Sequence, residues 1–235
     1  MAGLINSLVG HEKQKGWLLN QIEQGQLPSS LIFQGPTGIG KKYLVKSLLQ
    51  VMNCEQDKMA CGVCSNCQRA LEDKNEMVFN LEIESKKNIS VDQVREVHSF
   101  LNLKSIKKAR FVIIDTTDRL SISAANSLLK VLEEAPEKTH FFLVTDRMPS
   151  LLPTIRSRSH ILNFSSLTRG ELLKFKDFEP LALNWADGRL QMALEFEDPK
   201  KVDQLNDSLQ FLYQLMCGQP QDWKKLAPWF FSDEL

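Results

Sequence analysis

Short apolar runs recur through the first part of the chain, separated by segments whose apolar residues follow helical spacing. The runs predict five strands, at 31–34, 79–83, 111–115, 141–145 and 160–164. Their apolar residues are mostly continuous rather than alternating with polar ones, which is typical of strands buried on both faces. Because helical segments separate the strands, the pattern predicts an α/β fold with a parallel, doubly wound sheet.

Helical spacing also predicts what lies between and after these strands. Ser90 and Gln93 match a capping box, so one helix is expected to begin at Val91. The last strand ends at Phe164, which is the predicted edge of the sheet domain, and only helices follow it. The main predicted helices cover 41–52, 91–101, 123–134, 167–178, 181–196 and 201–217.

A glycine-rich turn lies between the first strand and the helix that Lys41 opens. From Gly35 to Lys41 the residues fit the phosphate-loop pattern G-x-x-x-x-G-K, with Gly38 and Gly40 inside it. Glycines allow successive backbone N–H groups to face an anion, and the helix N-terminus adds partial positive charge. The stretch therefore predicts a cradle for the phosphates of a nucleotide, with Lys41 beside the β- and γ-phosphates.

Lys42 departs from the same pattern, which requires Ser or Thr at this place. A lysine ammonium has no lone pair, so it cannot bind Mg²⁺ as the hydroxyl does. The side chain is expected either to face inward, where it would repel the cation, or to point to solvent. Binding of ATP or ADP is consequently expected to be weak or lost, with the loop kept as a structural turn.

Four cysteines form a compact group, Cys54-x6-Cys61-x2-Cys64-x2-Cys67. Thiolates at this spacing can converge tetrahedrally on zinc, in a closed structural site without catalytic function. Buried free cysteines and an iron–sulfur cluster are the alternatives. Polar neighbours and the short C-x-x-C-x-x-C spacing favour the metal over free cysteines.

Charge and hydropathy limit the partners of the chain. Lysine plus arginine and aspartate plus glutamate both number 29, so the formal net charge is zero. A dedicated nucleic-acid-binding protein is usually basic, so any contact with DNA is expected from a local patch, such as the cluster within 104–110, or through partners. Neither a signal peptide nor an apolar run near the roughly 18 residues of a membrane span is visible, and a cytoplasmic location is expected.

Several segments, in one order, resemble the AAA+ family of bacterial replicative clamp-loader subunits, and above all its delta-prime type. The resemblance covers residues 1 to about 195 and is specific because of the order in which the motifs occur. Its segments are VGHEK at 9–13, GPTGIGKK at 35–42, the cysteine group, NISVDQVREVHSFL at 88–101, FVIIDTTDRLSISAANSLLKVLEEAP at 111–136, FFLVTDRMPSLLPTIRSRS at 141–159 and ADGRLQMAL at 186–194.

This resemblance implies a domain order. An AAA+ α/β sheet domain is expected at 1–164, with a zinc module at 54–67, and a small helical lid at 165–196. A helical collar that joins the subunits into a ring comes last in the family. Only 197–235 remain for it here, so a truncated or reduced collar-like segment is predicted.

The resemblance also implies roles at the strand ends. Asp115 falls at the metal-binding aspartate of Walker B, with a plain turn residue as the alternative, and Thr145 falls at sensor 1. Thr116 replaces the glutamate of hydrolysing members, and a threonine cannot serve as general base at neutral pH. Gln191 replaces the sensor-2 arginine. With Lys42, these departures predict a subunit without intrinsic ATPase activity.

Ser157-Arg158-Ser159 matches the family's Ser-Arg-Cys motif, with serine in place of cysteine. In the family this arginine reaches across an interface to the ATP of a neighbouring subunit. A planar, permanently charged guanidinium suits the charge that develops during phosphoryl transfer. Arg158 is therefore predicted as an arginine finger acting in trans, against the alternative of a solvated or carboxylate-paired arginine.

Taken together, these features predict a non-hydrolysing, stator-like clamp-loader subunit that helps to load the sliding clamp on primed DNA. Its implied partners are the gamma/tau ATPases and delta, and through the complex the clamp and DNA. An ATP-hydrolysing, gamma/tau-like motor subunit is the alternative, and a separate zinc-containing nucleotide-binding module outside replication is a third possibility.

Overall fold

The computed structural model describes residues 3–71, 77–83, 88–102 and 109–217. Its five strands pair in parallel in the order β2-β3-β4-β1-β5. Each strand begins and ends within two residues of its predicted place, and the predicted parallel α/β sheet is confirmed. The strands are β1 (Ser30–Gln34), β2 (Val78–Leu81), β3 (Arg110–Ile114), β4 (Thr139–Thr145) and β5 (His160–Asn163).

Helices connect and follow these strands. The capping box is present, because the Ser90 hydroxyl accepts the Gln93 N–H at 3.3 Å and the Gln93 side chain accepts the Ser90 N–H at 3.0 Å. The helices are α1 (Leu4–Ser7), α2 (Glu12–Glu23), α3 (Lys41–Asn53), α4 (Ser65–Arg69), α5 (Val91–Leu101), α6 (Ile122–Glu134), α7 (Pro153–Ser157), α8 (Arg169–Phe175), α9 (Pro180–Ala186), α10 (Leu190–Glu195) and α11 (Pro199–Met216).

Apolar side chains cover both faces of the sheet, because successive residues of a strand point to opposite sides. Phe33 belongs to the cluster that contains Leu44 of α3. Its neighbour Ile32 belongs to the cluster that contains Val94 of α5 and Leu128 of α6. Full burial of such a side chain stabilises the folded state by about 1.5–3 kcal/mol. Burial on both faces therefore holds each strand in place, and with it the residues that follow the strand.

One predicted helix is wrong. The segment 181–196 forms two helices, α9 and α10, because Asp187 and Gly188 adopt left-handed φ angles of 49° and 75°. A left-handed residue after a helix ends it. Gly188 is also tied to the chain before α8, since its carbonyl accepts the Leu167 N–H at 2.9 Å. The Asp-Gly pair was the sequence signal for this break.

Helices α8 to α10 bury an apolar cluster of their own, which includes Leu167, Leu172 and Phe178. The boundaries proposed for the lid and the collar-like segment stay predictions. Most of the basic cluster within 104–110 and the tail at 218–235 lie outside the described residues. Among the helices that the structure describes, none has the length and apolar character needed to cross a membrane.

Candidate functional site

The backbone of the glycine-rich loop explains why glycines occupy it. Gly38 and Gly40 have left-handed φ angles of 75° and 96°, which glycine adopts without steric cost. At Gly35 the reason is close packing, because an added Cβ would lie 2.3 Å from the carbonyl oxygen of Phe164. The loop therefore has a geometry that other residues would disturb.

Replacing Gly35 by alanine is expected to destabilise the protein by about 3 kcal/mol or more, since backbone must move to admit the methyl group. Gly16→Ala provides the matched control. Gly16 lies within α2 with nothing within 4 Å of the added Cβ, and glycine costs about 1 kcal/mol relative to alanine inside a helix. Urea unfolding of both variants tests this, and a Gly35→Ala variant as stable as Gly16→Ala would contradict it.

Lys41 is buried at the start of α3 and points into the loop. Its ammonium donates to the carbonyl oxygens of Gly35 at 2.7 Å and Pro36 at 2.6 Å. Burial lowers the pKa of Lys41, while the carboxylates of three aspartates beyond the strand ends, led by Asp146, oppose that effect. Lys41 thus lies against the loop at the start of α3, and its role in binding phosphate stays a prediction.

Lys42 faces inward rather than out to solvent. Its ammonium forms an ion pair with Glu82, which follows β2, and lies 3.7 Å from a carboxylate oxygen of Asp115, which follows β3. About one third of each side chain in the Lys42–Asp115 pair remains exposed. Lys42 therefore places a positive charge beside Asp115, the residue at the predicted Walker B position.

The next two residues form a tight turn after β3. The Thr116 N–H donates to the Asp115 carboxylate at 2.9 Å, and the Thr116 hydroxyl donates to the Asp115 carbonyl at 2.7 Å. Thr116 has a left-handed φ of 51°, which is unusual for a β-branched residue. The Thr116 hydroxyl is thus bonded to the backbone. The family resemblance implies that ATP-hydrolysing members have a glutamate at this position.

Thr145 lies buried at the end of β4. Its hydroxyl donates to the Asp118 carboxylate at 2.9 Å and accepts the Arg147 N–H at 3.0 Å. Asp118 lies in the short helical turn after β3, and its carboxylate reaches across to Thr145. The sensor-1 position is accordingly joined to the turn after β3.

Helix α10, in the predicted lid, contacts the loop through main-chain atoms. The Gln191 N–H donates to the Gly38 carbonyl at 3.0 Å, and an added Cβ on Gly38 would lie 3.1 Å from the Gln191 Cβ. The Gln191 side chain is directed to Glu195 at 3.2 Å. Arg189, two residues before Gln191, is the N-cap residue of α10.

A cavity of about 740 Å³ opens between the loop, the strand ends and the lid. Most of the residues singled out for a nucleotide site meet there, although Gly35 does not line the cavity. Those on its wall are Gly38, Gly40, Lys41, Lys42, Asp115, Thr116, Thr145 and Gln191.

Sequence reasoning missed three acidic partners and an apolar wall. Glu82 pairs with Lys42, Asp146 acts on Lys41, and Glu133 pairs with Arg158. Glu82 and Asp146 directly follow strands, as Asp115 does, and the ends of parallel strands share one edge of the sheet. That signal was available for Asp146, whereas Glu82 fell inside the predicted strand 79–83 and Glu133 gave no signal. The apolar wall includes Leu8, Val9, Tyr43, Phe175, Leu190 and Leu194.

Arg158 ends α7 and does not line this cavity. Its guanidinium donates to Glu133 of α6 at 2.7 Å and to the Thr154 carbonyl at 3.3 Å. The Arg158 and Glu133 side chains are 44% and 51% exposed. Ser159, in place of the motif's cysteine, bonds to Ser30 of β1 at 2.7 Å, which fixes the turn after Arg158 to the sheet.

The four predicted cysteines come together. Their sulfur atoms all lie within 4.8 Å of one another, with Cys54 to Cys64 and Cys61 to Cys67 both at 4.0 Å. Tetrahedral coordination with Zn–S bonds of about 2.3 Å places sulfurs about 3.8 Å apart. The spacing and the soft donor set fit a zinc ion, for which this group supplies all four ligands.

Backbone N–H groups around the cluster favour thiolates. Burial acts to raise the pKa of Cys54, but N–H donors from Cys61, Gln56 and Asp57 outweigh it and bring that pKa to about 6. Burial raises the pKa of Cys67 to about 12. Metal binding requires all four thiols to lose their protons, and the donors at Cys54 make the first loss easy.

The sheet order, the phosphate loop after β1, the acidic residue after β3 and the helical lid define a P-loop protein of the AAA+ class. Residues 10–168 match the family described as DNA polymerase III, delta subunit. The chain belongs to this clamp-loader family of DNA polymerase III subunits.

Curated relatives come from several bacteria. The delta' subunit of DNA polymerase III from Escherichia coli K12 is 34% identical over 148 residues, 61% of this chain and 44% of that protein. The tau subunit from Bacillus subtilis 168 is 30% identical over 206 residues, 85% of this chain and 36% of its own length. Gamma/tau from Mycobacterium tuberculosis H37Rv is 30% identical over 163 residues, 68% and 28% respectively. The chain spans less than half of each of these relatives.

Solved structures have the same fold. A DNA polymerase III gamma subunit-related protein from Thermotoga maritima superposes with a TM-score of 0.53 at 25% identity, covering 77% of this chain and 56% of that one. A RuvB variant from the same organism gives 0.50 at 20% identity, covering 82% and 62%, which shows the fold alone. The predicted fold class is confirmed.

Proposed function

We propose that the chain is a delta-prime-type, non-hydrolysing subunit of a bacterial replicative clamp loader. In this role it supplies Arg158 to ATP bound on a neighbouring gamma/tau-type subunit. The observation that carries the proposal is the inward position of Lys42. Its ammonium lies beside Asp115, where a hydrolysing site needs a divalent cation between the loop and the Walker B aspartate.

The rest of the cavity supports the same conclusion. Thr116 offers no carboxylate to activate a water molecule, and its hydroxyl already donates to the Asp115 carbonyl. Gln191 brings no positive charge to developing phosphoryl charge. Three groups that ATP hydrolysis needs are therefore missing from three separate segments of the chain. They are the Mg²⁺ ligand at position 42, the general base at position 116 and the cation at position 191.

Arg158 supports a contribution to another subunit's site. It lies outside the cavity of its own chain, on a short helix whose end is fixed to β1. Nearly half of its side chain is accessible. Its guanidinium pairs with Glu133, as in the carboxylate-paired alternative, and in this proposal it exchanges that ion pair for the phosphate oxygens of the neighbouring nucleotide. An arginine with this geometry suits a partner that docks against α6 and α7.

The proposed setting is a complex with gamma/tau-type ATPases and delta, which opens the sliding clamp and places it on primed DNA. The zinc ion held by Cys54, Cys61, Cys64 and Cys67 has a structural role in this proposal. It would cross-link the segment between α3 and α4, and it has no open coordination position for a substrate.

An ATP-hydrolysing motor subunit is the second candidate, favoured by the formed loop with Lys41 and by the gamma/tau relatives. Purified chain with ATP and Mg²⁺ discriminates between the two. We expect turnover no higher than that of a Lys41→Ala variant, measured by phosphate release, with circular dichroism to show that both are folded. Turnover well above that of Lys41→Ala would favour the motor subunit.

A further inference from the structure

We propose that the cavity binds a nucleoside di- or triphosphate without a divalent cation, because the Lys42 ammonium takes the place of the metal. This goes beyond the proposed function, which does not require any ligand here. The sequence predicts that binding of ATP or ADP is weak or lost. In this inference that loss applies to the nucleotide–Mg²⁺ complex, because Lys42 excludes the cation.

The magnesium ion that the fold family implies does not fit the residues present. Mg²⁺ needs oxygen ligands in octahedral geometry, and position 42 offers three N–H donors instead. Asp115, the other expected contact, already has the Lys42 ammonium at 3.7 Å. A divalent cation between them would meet a positive charge at short range.

The Lys42 ammonium also supplies the positive charge that Mg²⁺ would otherwise bring to the phosphates. A polyphosphate without Mg²⁺ is repelled by the carboxylates at the strand ends. Lys42 pairs with Glu82 and Asp115, so it screens both from the cradle. Among the described residues on the cavity wall, four cations face three carboxylates. The cations are Lys41, Lys42, Arg119 and Arg147, and the carboxylates are Asp115, Asp118 and Asp146.

The remaining parts of a nucleotide site are formed. The Lys41 ammonium donates to two loop carbonyls and could donate to phosphate oxygens instead. The backbone N–H groups at the start of α3 lie beside it and favour an anion. An apolar wall that includes Leu8, Tyr43 and Leu194 lies in the same cavity and suits a base. A volume of about 740 Å³ is within the range of about 300–1,000 Å³ typical of ligand pockets.

Titration of the full chain with ADP and with ATP, in EDTA and in Mg²⁺, tests this by calorimetry. For the wild-type chain we expect Kd values in the two buffers that agree within about threefold, which is less than 1 kcal/mol. Lys42→Thr restores a hydroxyl ligand and removes the cation. Its affinity is expected to be about tenfold or more weaker in EDTA than in Mg²⁺.

Two variants complete the design. Lys42→Arg keeps a cation and should remain independent of Mg²⁺. Lys46→Thr removes the same charge one turn further along α3, outside the cavity wall, and should behave as the wild type. Pyrophosphate is the third ligand, and ADP should bind more tightly than pyrophosphate because of the apolar wall.

Three results would overturn the inference: wild-type binding that requires Mg²⁺, a folded wild-type chain that binds neither nucleotide, or a Lys42→Thr variant without Mg²⁺ dependence. Pyrophosphate binding as tightly as ADP would exclude a nucleotide as the ligand. The ATPase of an assembled loader does not enter this test. Failure here would therefore leave the role of Arg158 standing, and the reverse also holds.

Discussion

Replacing Arg158 by alanine is expected to lower ATP hydrolysis at the neighbouring site of an assembled clamp loader by about 10³-fold, the lower end of the range for arginine fingers. Steady-state phosphate release and clamp loading on primed DNA, with the loader reconstituted from its subunits, would measure it. The guanidinium is lost from the transition state, whereas the binding surface of the subunit is otherwise kept.

The chain itself should remain folded in this variant. The ion pair between Arg158 and Glu133 is about half exposed, and such pairs contribute about 1 kcal/mol or less. Thermal unfolding of the isolated subunit should therefore change little. Arg158→Lys keeps the charge but loses the fork, so we expect most of the activity to be lost there too.

Two controls separate the finger from its surroundings. Glu133→Gln removes the ion pair and keeps the guanidinium, so loader activity should stay near that of the wild type. Arg169→Ala removes an exposed arginine from α8, outside the cavity, and should have no effect. Full activity of the Arg158→Ala loader would refute the finger, and equal losses in Arg158→Ala and Arg169→Ala would point to a general charge effect.

Removal of zinc is expected to have the largest effect on stability. Protein purified without chelator should contain about one zinc per chain, and Cys64→Ser should lose it. Structural zinc sites bind the ion with apparent free energies of about 10–16 kcal/mol. Losing even part of this can exceed the free energy of unfolding of a typical domain, which is about 5–15 kcal/mol. We expect Cys64→Ser to unfold many degrees below the wild type.

The consequence reaches beyond the cysteines because Gln50 of α3 links two segments. Its side chain donates to the Cys67 carbonyl at 3.0 Å and accepts the Leu4 N–H at 2.9 Å. Loss of zinc should therefore loosen α1 and the end of α3 together, which amide hydrogen exchange would detect.

Cys217→Ser is the matched control, since Cys217 is exposed and lies outside the cluster. It should retain zinc and the wild-type unfolding temperature. Elemental analysis that finds no metal would rule out the site. Iron with visible absorbance would instead identify the iron–sulfur alternative, and wild-type stability of a zinc-free Cys64→Ser would rule out the structural role.

Local patterns in the sequence were sufficient for much of the fold and for one site. The apolar runs fixed the strands, because continuous burial is a property of each segment by itself. The cysteine group was also predictable, since all four ligands lie within one short segment. The Ser90–Gln93 box placed the start of α5 for the same reason.

Pairs between distant segments could not be predicted in this way. The contact of Lys42 with Glu82 depends on the order of the strands and on the direction of one flexible side chain. The pairing of Arg158 with Glu133 depends on how α6 and α7 pack. The Asp187-Gly188 pair indicated a break in the helix. The prediction joined the two helices because their apolar residues follow helical spacing on both sides of the pair.

The hydrogen bond between the Gln191 N–H and the Gly38 carbonyl uses main-chain atoms only. Any residue except proline could supply this N–H at position 191, so the contact between α10 and the loop does not depend on the Gln191 side chain. Gln191→Arg should therefore change the side-chain chemistry at this place while the main-chain contact with Gly38 is kept.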